Sequence, residues 1–162
     1  MQKKAEILVR MLKKQNKHIA VMESCTGGSV SNEITNIEGA SDVFTIGAVT
    51  YTNEQKVKMG VNQSIIKKHS VYSVQTANQM SLAIARFANA DIGVGVTGKL
   101  KKADDKNNAG EDDQVYLSVY NLNTQQFLTA VMTVTKDTRE ENKLMVVDKV
   151  CDMILAMLLT SK

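Results

Sequence analysis

A polar segment at residues 23–28 holds the side chains best suited to chemistry. It reads Glu-Ser-Cys-Thr-Gly-Gly, follows an apolar run at residues 19–22 of the length of a buried strand, and precedes apolar side chains at helical spacing. A turn between a strand and a helix leaves the first N–H groups of the helix unpaired and directed at whatever occupies the bend. Ser24, Cys25 and Thr26 are therefore candidate nucleophiles or phosphate ligands, although serine and threonine also favour the helix-cap position.

Apolar periodicity predicts an alternation of strands and helices around this turn. The predicted strands are residues 18–23, 43–51, 92–96, 115–120 and 127–135. The predicted helices are residues 1–17, a helix from the turn to Glu38, a short piece closed by Gly60, residues 62–69, residues 73–89 and a last helix that begins at Thr138 with a capping box. Two of these helices should turn an apolar face to the core, one with Ala77, Met80, Ile84 and Phe87, the other with Leu144, Val147, Cys151, Ile154 and Leu158.

This alternation predicts the fold class and the place of the site. We expect an α/β protein, a three-layer α/β/α sandwich with a mixed, mostly parallel sheet of about five or six strands, in which the late hairpin adds one antiparallel strand. In such sheets reactive groups collect beyond the carboxyl ends of the parallel strands. Ser24, residues 51–56 and the pair Thr97-Gly98 each follow a predicted strand, so three strand ends could converge on one cleft.

The composition excludes several classes of protein. A chain of 162 residues is predicted to form one domain, residues 1–162. The net charge of +3 is small and the lysines are scattered, which argues against nucleic-acid binding. Cys25 and Cys151 lie too far apart for a disulfide framework, and His18 and His69 lack metal-ligand spacing, so we expect no metal or cofactor. Because no apolar run suggests a membrane span or a signal peptide, we expect a cytoplasmic protein with no membrane partner.

Four segments of the chain resemble the CinA C-terminal domain family. They are residues 23–28, the triplet Gly-Ala-Ser at 39–41, Tyr-Thr-Asn-Glu-Gln-Lys at 51–56, and Asp-Ile-Gly-Val-Gly-Val-Thr-Gly at 91–98. The resemblance covers nearly the whole chain and keeps the order and spacing of the parts. It implies a bacterial amidohydrolase on an α/β/α sandwich, which converts nicotinamide mononucleotide to nicotinate mononucleotide and ammonia in NAD recycling. A small-molecule nucleotide is then the expected substrate, and we expect a homo-oligomer.

The resemblance also assigns roles to individual residues. Matched by position, the catalytic serine, tyrosine and lysine of the family fall on Ser24, Tyr51 and Lys56, and a recurring arginine falls on Arg139. The residues expected to bind substrate are Cys25, Thr26, Gly27, Gly28, Asn53, Thr97, Gly98 and Arg139. One segment departs from the family: residues 99–114 are strongly charged where relatives have a glycine-rich stretch, and we predict a solvated, mobile loop there.

Amide chemistry gives these residue types a reason. No histidine lies near the motif, so a lysine is the available base for the serine, as in known Ser-Lys enzymes. A free lysine has a pKa of about 10.4, so Lys56 must be desolvated or placed near another cation. Tyr51 could relay a proton between Lys56 and Ser24, and the N–H groups of residues 26–28 could form an oxyanion hole. Arg139 or a loop lysine could hold a phosphate.

Alternatives remain open at this point. Cys25 is a rival nucleophile because a thiol at a helix N-terminus can have a depressed pKa, although no base accompanies it. Taken singly, Tyr51 fits a strand-end tyrosine, Lys56 a surface lysine and Arg139 a charge on a capped helix; only their joint spacing favours catalysis. A second hypothesis is therefore a catalytically impaired family member that binds a nucleotide or a partner protein.

Overall fold

A five-stranded mixed sheet forms the centre of the computed structural model, which describes residues 1–160. The last two residues of the predicted domain lie outside this range. Across the sheet the strands run in the order β2-β1-β3-β4-β5. They are β1 (Ile19–Glu23), β2 (Phe44–Val49), β3 (Ile92–Gly98), β4 (Gln114–Asn121) and β5 (Gln126–Thr133). The helices are α1 (Gln2–Lys14), α2 (Ser29–Thr35), α3 (Asn53–Lys58), α4 (Gln63–His69), α5 (Val74–Ala88) and α6 (Arg139–Thr160), with a 3-10 turn at Ala40–Asp42.

The strand directions match the predicted mixed sheet. Strand β1 pairs in parallel with β2 on one side and with β3 on the other. Strand β4 pairs antiparallel with both β3 and β5, so it alone runs against the other four strands. The carboxyl ends of β1, β2 and β3 therefore meet at one edge of the sheet, which is the edge where the sequence predicts the site.

An apolar core lies on each face of the sheet, between the sheet and the helices that cover it, so the fold has three layers. One core packs α1, α2 and α6 against one face through residues such as Leu8, Ile34 and Ile154. The other packs the helices of residues 53–88 against the opposite face and includes Met80 and Ile84. None of the described helices is long and apolar enough to cross a membrane.

The closest helix–sheet contact depends on two glycines of β3. A Cβ atom added at Gly93 would overlap the carbonyl oxygen of Ser81, and one at Gly95 would overlap that of Ala77. Helix α5 therefore lies on the sheet at backbone distance, as the glycines of this strand predict. This packing fixes the carboxyl end of β3 beside that of β1.

Most predicted helix caps are confirmed. The side chains of Asn62 and Ser73 accept hydrogen bonds from the first turns of α4 and α5. At the start of α6 the Thr138 hydroxyl accepts from the Glu141 N–H at 3.2 Å, and the Glu141 carboxylate accepts from the Thr138 N–H at 3.3 Å, which is the predicted capping box. Helix α2 is shorter than predicted, because it ends at Thr35 and not at Glu38.

Two residues predicted to face the core are exposed. Phe87 is 63% exposed at the end of α5, and Leu144 is 45% exposed near the start of α6. Because an α-helix turns once in about 3.6 residues, Leu144 lies nearly opposite Asn142 and Val146, which are both buried. Phe87 likewise lies nearly opposite the buried Ala85. The predicted faces were correct for the other residues named and wrong at these two. Cys151 is buried as predicted.

Candidate active site

A cleft of about 790 Å³ opens at the carboxyl edge of the three parallel strands. Ser24 follows β1, residues 51–56 follow β2, and Thr97 and Gly98 end β3, so the predicted convergence of three strand ends is confirmed. The predicted site residues that line the cleft are Ser24, Cys25, Tyr51, Asn53, Lys56, Thr97, Gly98 and Arg139. Thr26, Gly27 and Gly28 lie behind the cleft wall and do not line it.

A buried lysine contacts the candidate nucleophile directly. The Lys56 side chain, on α3, is 1% exposed, and its ammonium donates to the Ser24 hydroxyl oxygen at 3.2 Å. The same nitrogen donates to the Thr50 carbonyl at 2.7 Å. The Ser24 N–H donates to the Val96 carbonyl at 3.0 Å, which fixes the serine to the end of the central strand. Strand β3 and helix α3 thus hold the two functional atoms within hydrogen-bond reach.

Burial changes the acid–base character of this lysine. Desolvation lowers the pKa of Lys56 from 10.5 to about 8. No carboxylate in residues 1–160 forms an ion pair with its ammonium, so the charged form is stabilised by the Ser24 and Thr50 oxygens and not by an anion. A sizeable neutral fraction therefore exists at mildly alkaline pH, and a neutral amine 3.2 Å from a hydroxyl can accept its proton.

The neighbouring thiol has the opposite character. Cys25 is buried, and desolvation raises the pKa of its thiol from 9.0 to about 12. The thiolate required of a cysteine nucleophile is therefore scarce at neutral pH. Between the two adjacent candidates, the electrostatics favour Ser24.

A buried carboxylate, which the sequence analysis did not single out, organises the turn behind the serine. Glu23 is fully buried at the end of β1. One of its oxygens accepts from the Thr26 hydroxyl at 2.6 Å and from the N–H groups of Gly28 and Val30 at 3.0 and 3.1 Å. The other accepts from the N–H and hydroxyl of Ser31 at 3.0 and 2.8 Å. The protein's own carboxylate thus occupies the anion-binding donors of the α2 N-terminus.

This carboxylate corrects the predicted oxyanion hole. The Gly28 N–H is bonded to Glu23 and the Gly27 N–H donates to the Ser24 carbonyl at 2.9 Å, so neither can stabilise an oxyanion. The glycines instead form the bend, with φ of 61° at Gly27 and 100° at Gly28. Of the described N–H groups in this turn, that of Cys25 belongs to a residue that lines the cleft and donates to no other residue, so it is the donor left for an oxyanion.

Replacement of Glu23 tests its structural role. We expect Glu23→Gln to lower the free energy of unfolding by roughly 3 kcal/mol, because an amide NH₂ would face N–H groups that lose a charged acceptor. Urea denaturation monitored by circular dichroism measures this change. Ser31→Ala is the matched control, since it removes one of the five donors and should cost about 1 kcal/mol. Equal effects of the two replacements would contradict the role of Glu23.

The other predicted site residues have varied surroundings. Tyr51 is 63% exposed on the cleft wall, and since Lys56 bonds directly to Ser24, no phenol is needed between them. The Thr97 hydroxyl donates to the Val71 carbonyl at 3.1 Å, so it holds the fold together. Arg139 lines the cleft from the first residue of α6, where its charge acts on the Cys25 thiol.

Residues 99–113, here called the charged segment, form a mostly exposed loop, as the sequence predicts, but the start of this loop is buried. Lys99 and Leu100 are buried, and residues 102–107 line the cleft. The Lys99 ammonium lies 3.2 Å from an Asp112 oxygen and 4.9 Å from the centre of the Tyr72 ring. The prediction of a solvated loop was wrong at Lys99 and Leu100, because composition does not show that this lysine has an ion-pair partner, Asp112, within the segment.

Fold and site together define an α/β/α sandwich with a serine and a buried lysine at the carboxyl edge of its parallel strands. The family model described as the CinA C-terminal domain matches residues 1–158. This chain therefore belongs to the CinA C-terminal domain family, as the resemblance of its four segments predicts.

Individual relatives agree with this assignment. A CinA-like protein from Kosmotoga olearia is 44% identical over 94 residues, a match that covers 57% of this chain and 23% of that relative. The chain therefore matches about a quarter of the length of such relatives. The solved competence/damage inducible protein CihA from Agrobacterium tumefaciens has a TM-score of 0.87 and 27% identity, covering 96% of this chain and 94% of its own. A CinA superfamily protein from Klebsiella pneumoniae 700603, with a TM-score of 0.89, 21% identity and coverage of 98% and 97%, supports the fold alone.

Proposed function

We propose that this protein is an amidohydrolase that removes ammonia from nicotinamide mononucleotide or a closely related pyridine nucleotide. The observation that supports it is the buried Lys56 ammonium, 3.2 Å from the Ser24 hydroxyl and with a pKa lowered to about 8. A serine beside an amine whose pKa lies close to physiological pH is the arrangement that Ser-Lys hydrolases use to attack amides.

The proposed reaction follows from the positions of these groups. Neutral Lys56 takes the Ser24 proton as the serine oxygen attacks the carboxamide carbon. The oxyanion that forms accepts a hydrogen bond from the Cys25 N–H group. When this intermediate collapses, the C–N bond breaks, the Lys56 ammonium returns its proton to the leaving nitrogen, and ammonia departs from an acyl-serine. Lys56 then takes a proton from water, which attacks the ester carbon. As the bond between this carbon and the serine oxygen breaks, the Lys56 ammonium returns that proton to Ser24, and the product acid loses its own proton to solvent.

The cleft suits a ligand of this kind. Its volume of about 790 Å³ lies within the range of pockets that enclose small molecules, about 300–1,000 Å³. Cations at its rim, including Lys102, Lys106 and Arg139, favour an anionic ligand. Because Glu23 closes the α2 N-terminus to anions, side chains must supply the phosphate contacts.

Product analysis tests the proposed activity. We expect the purified protein, incubated with nicotinamide mononucleotide, to release ammonia and nicotinate mononucleotide in equal amounts. A coupled glutamate dehydrogenase assay measures the ammonia, and liquid chromatography measures the nucleotide. A protein whose circular dichroism spectrum shows it to be folded, but which releases neither product, would contradict the proposal.

A second candidate function is nucleotide binding without turnover. The charged segment supports it, because charged side chains line the cleft where relatives have a glycine-rich stretch. In that case nicotinamide mononucleotide would raise the melting temperature while no ammonia appeared. Combined thermal-shift and ammonia measurements on one preparation separate the two functions.

A further inference from the structure

One carboxylate fastens the charged segment across the cleft. Asp104 accepts a hydrogen bond from the Tyr72 hydroxyl, which belongs to the turn before α5. The same carboxylate accepts from the Lys106 N–H and from the Asn107 side-chain amide, both at 3.0 Å. The Asn107 oxygen in turn accepts from the Asn53 side chain, at the start of α3, at 3.2 Å. Asp104 thereby ties the middle of the segment to two separate elements of the cleft wall.

The base of the segment is held as well. The Lys99 N–H donates to the Gln114 carbonyl at 3.0 Å, and the Lys101 N–H donates to the Asp112 carbonyl at 2.8 Å. The Lys99 ammonium reaches the Gly110 carbonyl at 3.4 Å in addition to the Asp112 side chain. With both its base and its middle tied down, the segment can hold ligand-binding side chains in defined positions.

Two lysines of the segment line the cleft without an ion-pair partner. Neither Lys102 nor Lys106 forms an ion pair in the part of the chain that the structure describes. Three carboxylates line the same cleft, Glu54, Asp104 and Asp105. Glu54 interacts electrostatically with Lys106 without pairing with it, and Asp104 accepts a hydrogen bond from Tyr72. Lys101 differs, because its ammonium donates to the Lys136 carbonyl and does not line the cleft.

These lysines and Arg139 reach the cleft from different parts of the chain. Arg139 approaches from the layer of α1, α2 and α6, and its charge acts on Cys25 beside Ser24. Lys106 belongs to the charged segment and lies near the start of α3, where its charge acts on Glu54. In a pyridine mononucleotide the ribose separates the carboxamide-bearing ring from the phosphate. A carboxamide at Ser24 lies near the charge of Arg139, so a phosphate held one ribose away needs other cations, and the segment supplies Lys102 and Lys106.

We propose that the charged segment is the phosphate-selecting wall of this cleft, with Lys102 and Lys106 as specificity-determining residues and Asp104 as the residue that positions them. It takes substrates that carry a phosphate monoester and discriminates against their dephosphorylated counterparts. The choice of a pyridine nucleotide as the main probe rests on the proposed function. The selection of a phosphate rests on the placement of the lysines.

Binding measured without turnover tests this wall. In a Ser24→Ala background, isothermal titration calorimetry compares nicotinamide mononucleotide with nicotinamide riboside, and ribose 5-phosphate with ribose. We expect the phosphorylated member of each pair to bind more tightly. Lys102→Gln/Lys106→Gln should weaken binding of the phosphorylated ligands at least about tenfold, the equivalent of one lost charge-assisted hydrogen bond, and leave the riboside unchanged.

A charge-matched double variant controls for net charge. Lys67→Gln/Lys68→Gln removes two exposed lysines of α4 that do not line the cleft, and it should change no affinity by more than about twofold at moderate salt. The proposal is overturned if both double variants lose the same affinity. It is equally overturned if the parent protein binds the phosphorylated and dephosphorylated ligands alike.

The positioning role of Asp104 must be tested by a measurement that a general loss of structure would not change. Asp104→Ala should reduce the preference for nicotinamide mononucleotide over its riboside, whereas Asp104→Asn, which keeps an oxygen for the Tyr72 hydroxyl, should restore most of it. Equal weakening of both ligands by Asp104→Ala would show a structural role only and refute positioning.

The inference and the proposed function can fail separately. Binding of nicotinamide mononucleotide through the two lysines, without ammonia release by the unmodified protein, would refute the amidase activity and leave phosphate selection intact. Ammonia release that is equally efficient from the mononucleotide and from the riboside would retain the amidase activity and refute phosphate selection.

Discussion

Replacing Ser24 with alanine is expected to lower kcat for ammonia release from nicotinamide mononucleotide by at least about 10³-fold, as removal of a hydrolase nucleophile does. The reason is that no other group can replace the lost hydroxyl. The adjacent Cys25 thiol is held protonated by a pKa of about 12, and Lys56 has no second hydroxyl among its hydrogen-bond partners. Initial rates at saturating substrate measure the effect.

The matched control is another serine of the same turn. The Ser29 hydroxyl donates to the Thr26 carbonyl at 2.7 Å and does not line the cleft. Ser29→Ala should therefore keep kcat within about threefold of the unmodified protein, because it touches no reacting atom. A Ser24→Ala protein that bound the nucleotide normally and kept a tenth or more of its kcat would rule Ser24 out as the nucleophile.

The pairing of serine and lysine could be predicted because it follows from strand order. Ser24 and Lys56 each follow an apolar strand, and the carboxyl ends of parallel neighbours meet at one edge of a sheet. The 3.2 Å contact and the loss of solvent around Lys56 could not be predicted, since both depend on how α3 packs beneath the cleft.

The role of Glu23 shows where sequence reasoning stops. Local pattern correctly placed a turn and a helix start after β1, and unpaired N–H groups at such a start normally attract an anion. Here the anion is the carboxylate of Glu23. This depends on the backbone conformation of the turn, which brings the N–H groups of Gly28, Val30 and Ser31 around one side chain. The sequence signal that could have indicated this role is an acidic residue at the end of an apolar strand, directly before a polar turn.

The prediction for the start of the charged segment was wrong for a related reason. Its composition is typical of solvated loops, and composition does not reveal that Asp104 meets Tyr72 or that Lys99 folds back onto Asp112. These partners lie 32 and 13 positions apart in the chain. Contacts at such separations are set by the tertiary fold, beyond the reach of a local pattern.

Replacing Lys56 with methionine, which has a similar length and no charge, should lower kcat at least about 10³-fold. It should also change how the free energy of unfolding depends on pH. In the unmodified protein kcat/KM should rise with pH to a plateau, with an apparent pKa near the value of about 8 that burial gives Lys56. The rise reflects the neutral amine, the only form that can accept the serine proton. Rates from pH 6 to 10 measure the profile.

The same pKa predicts a thermodynamic effect that is independent of substrate. The folded-state pKa of Lys56, about 8, lies below its unfolded value of 10.5, so between these limits the unfolded chain binds more protons and stability rises with pH. Relative to Lys56→Met, the unmodified protein should therefore gain about 3 kcal/mol from pH 8 to 10.5, since each pKa unit corresponds to about 1.4 kcal/mol. Urea denaturation of both proteins across this window measures the difference, in which all other titrating groups cancel. A flat difference would mean that Lys56 stays fully charged in the fold, and the serine would then lack its base.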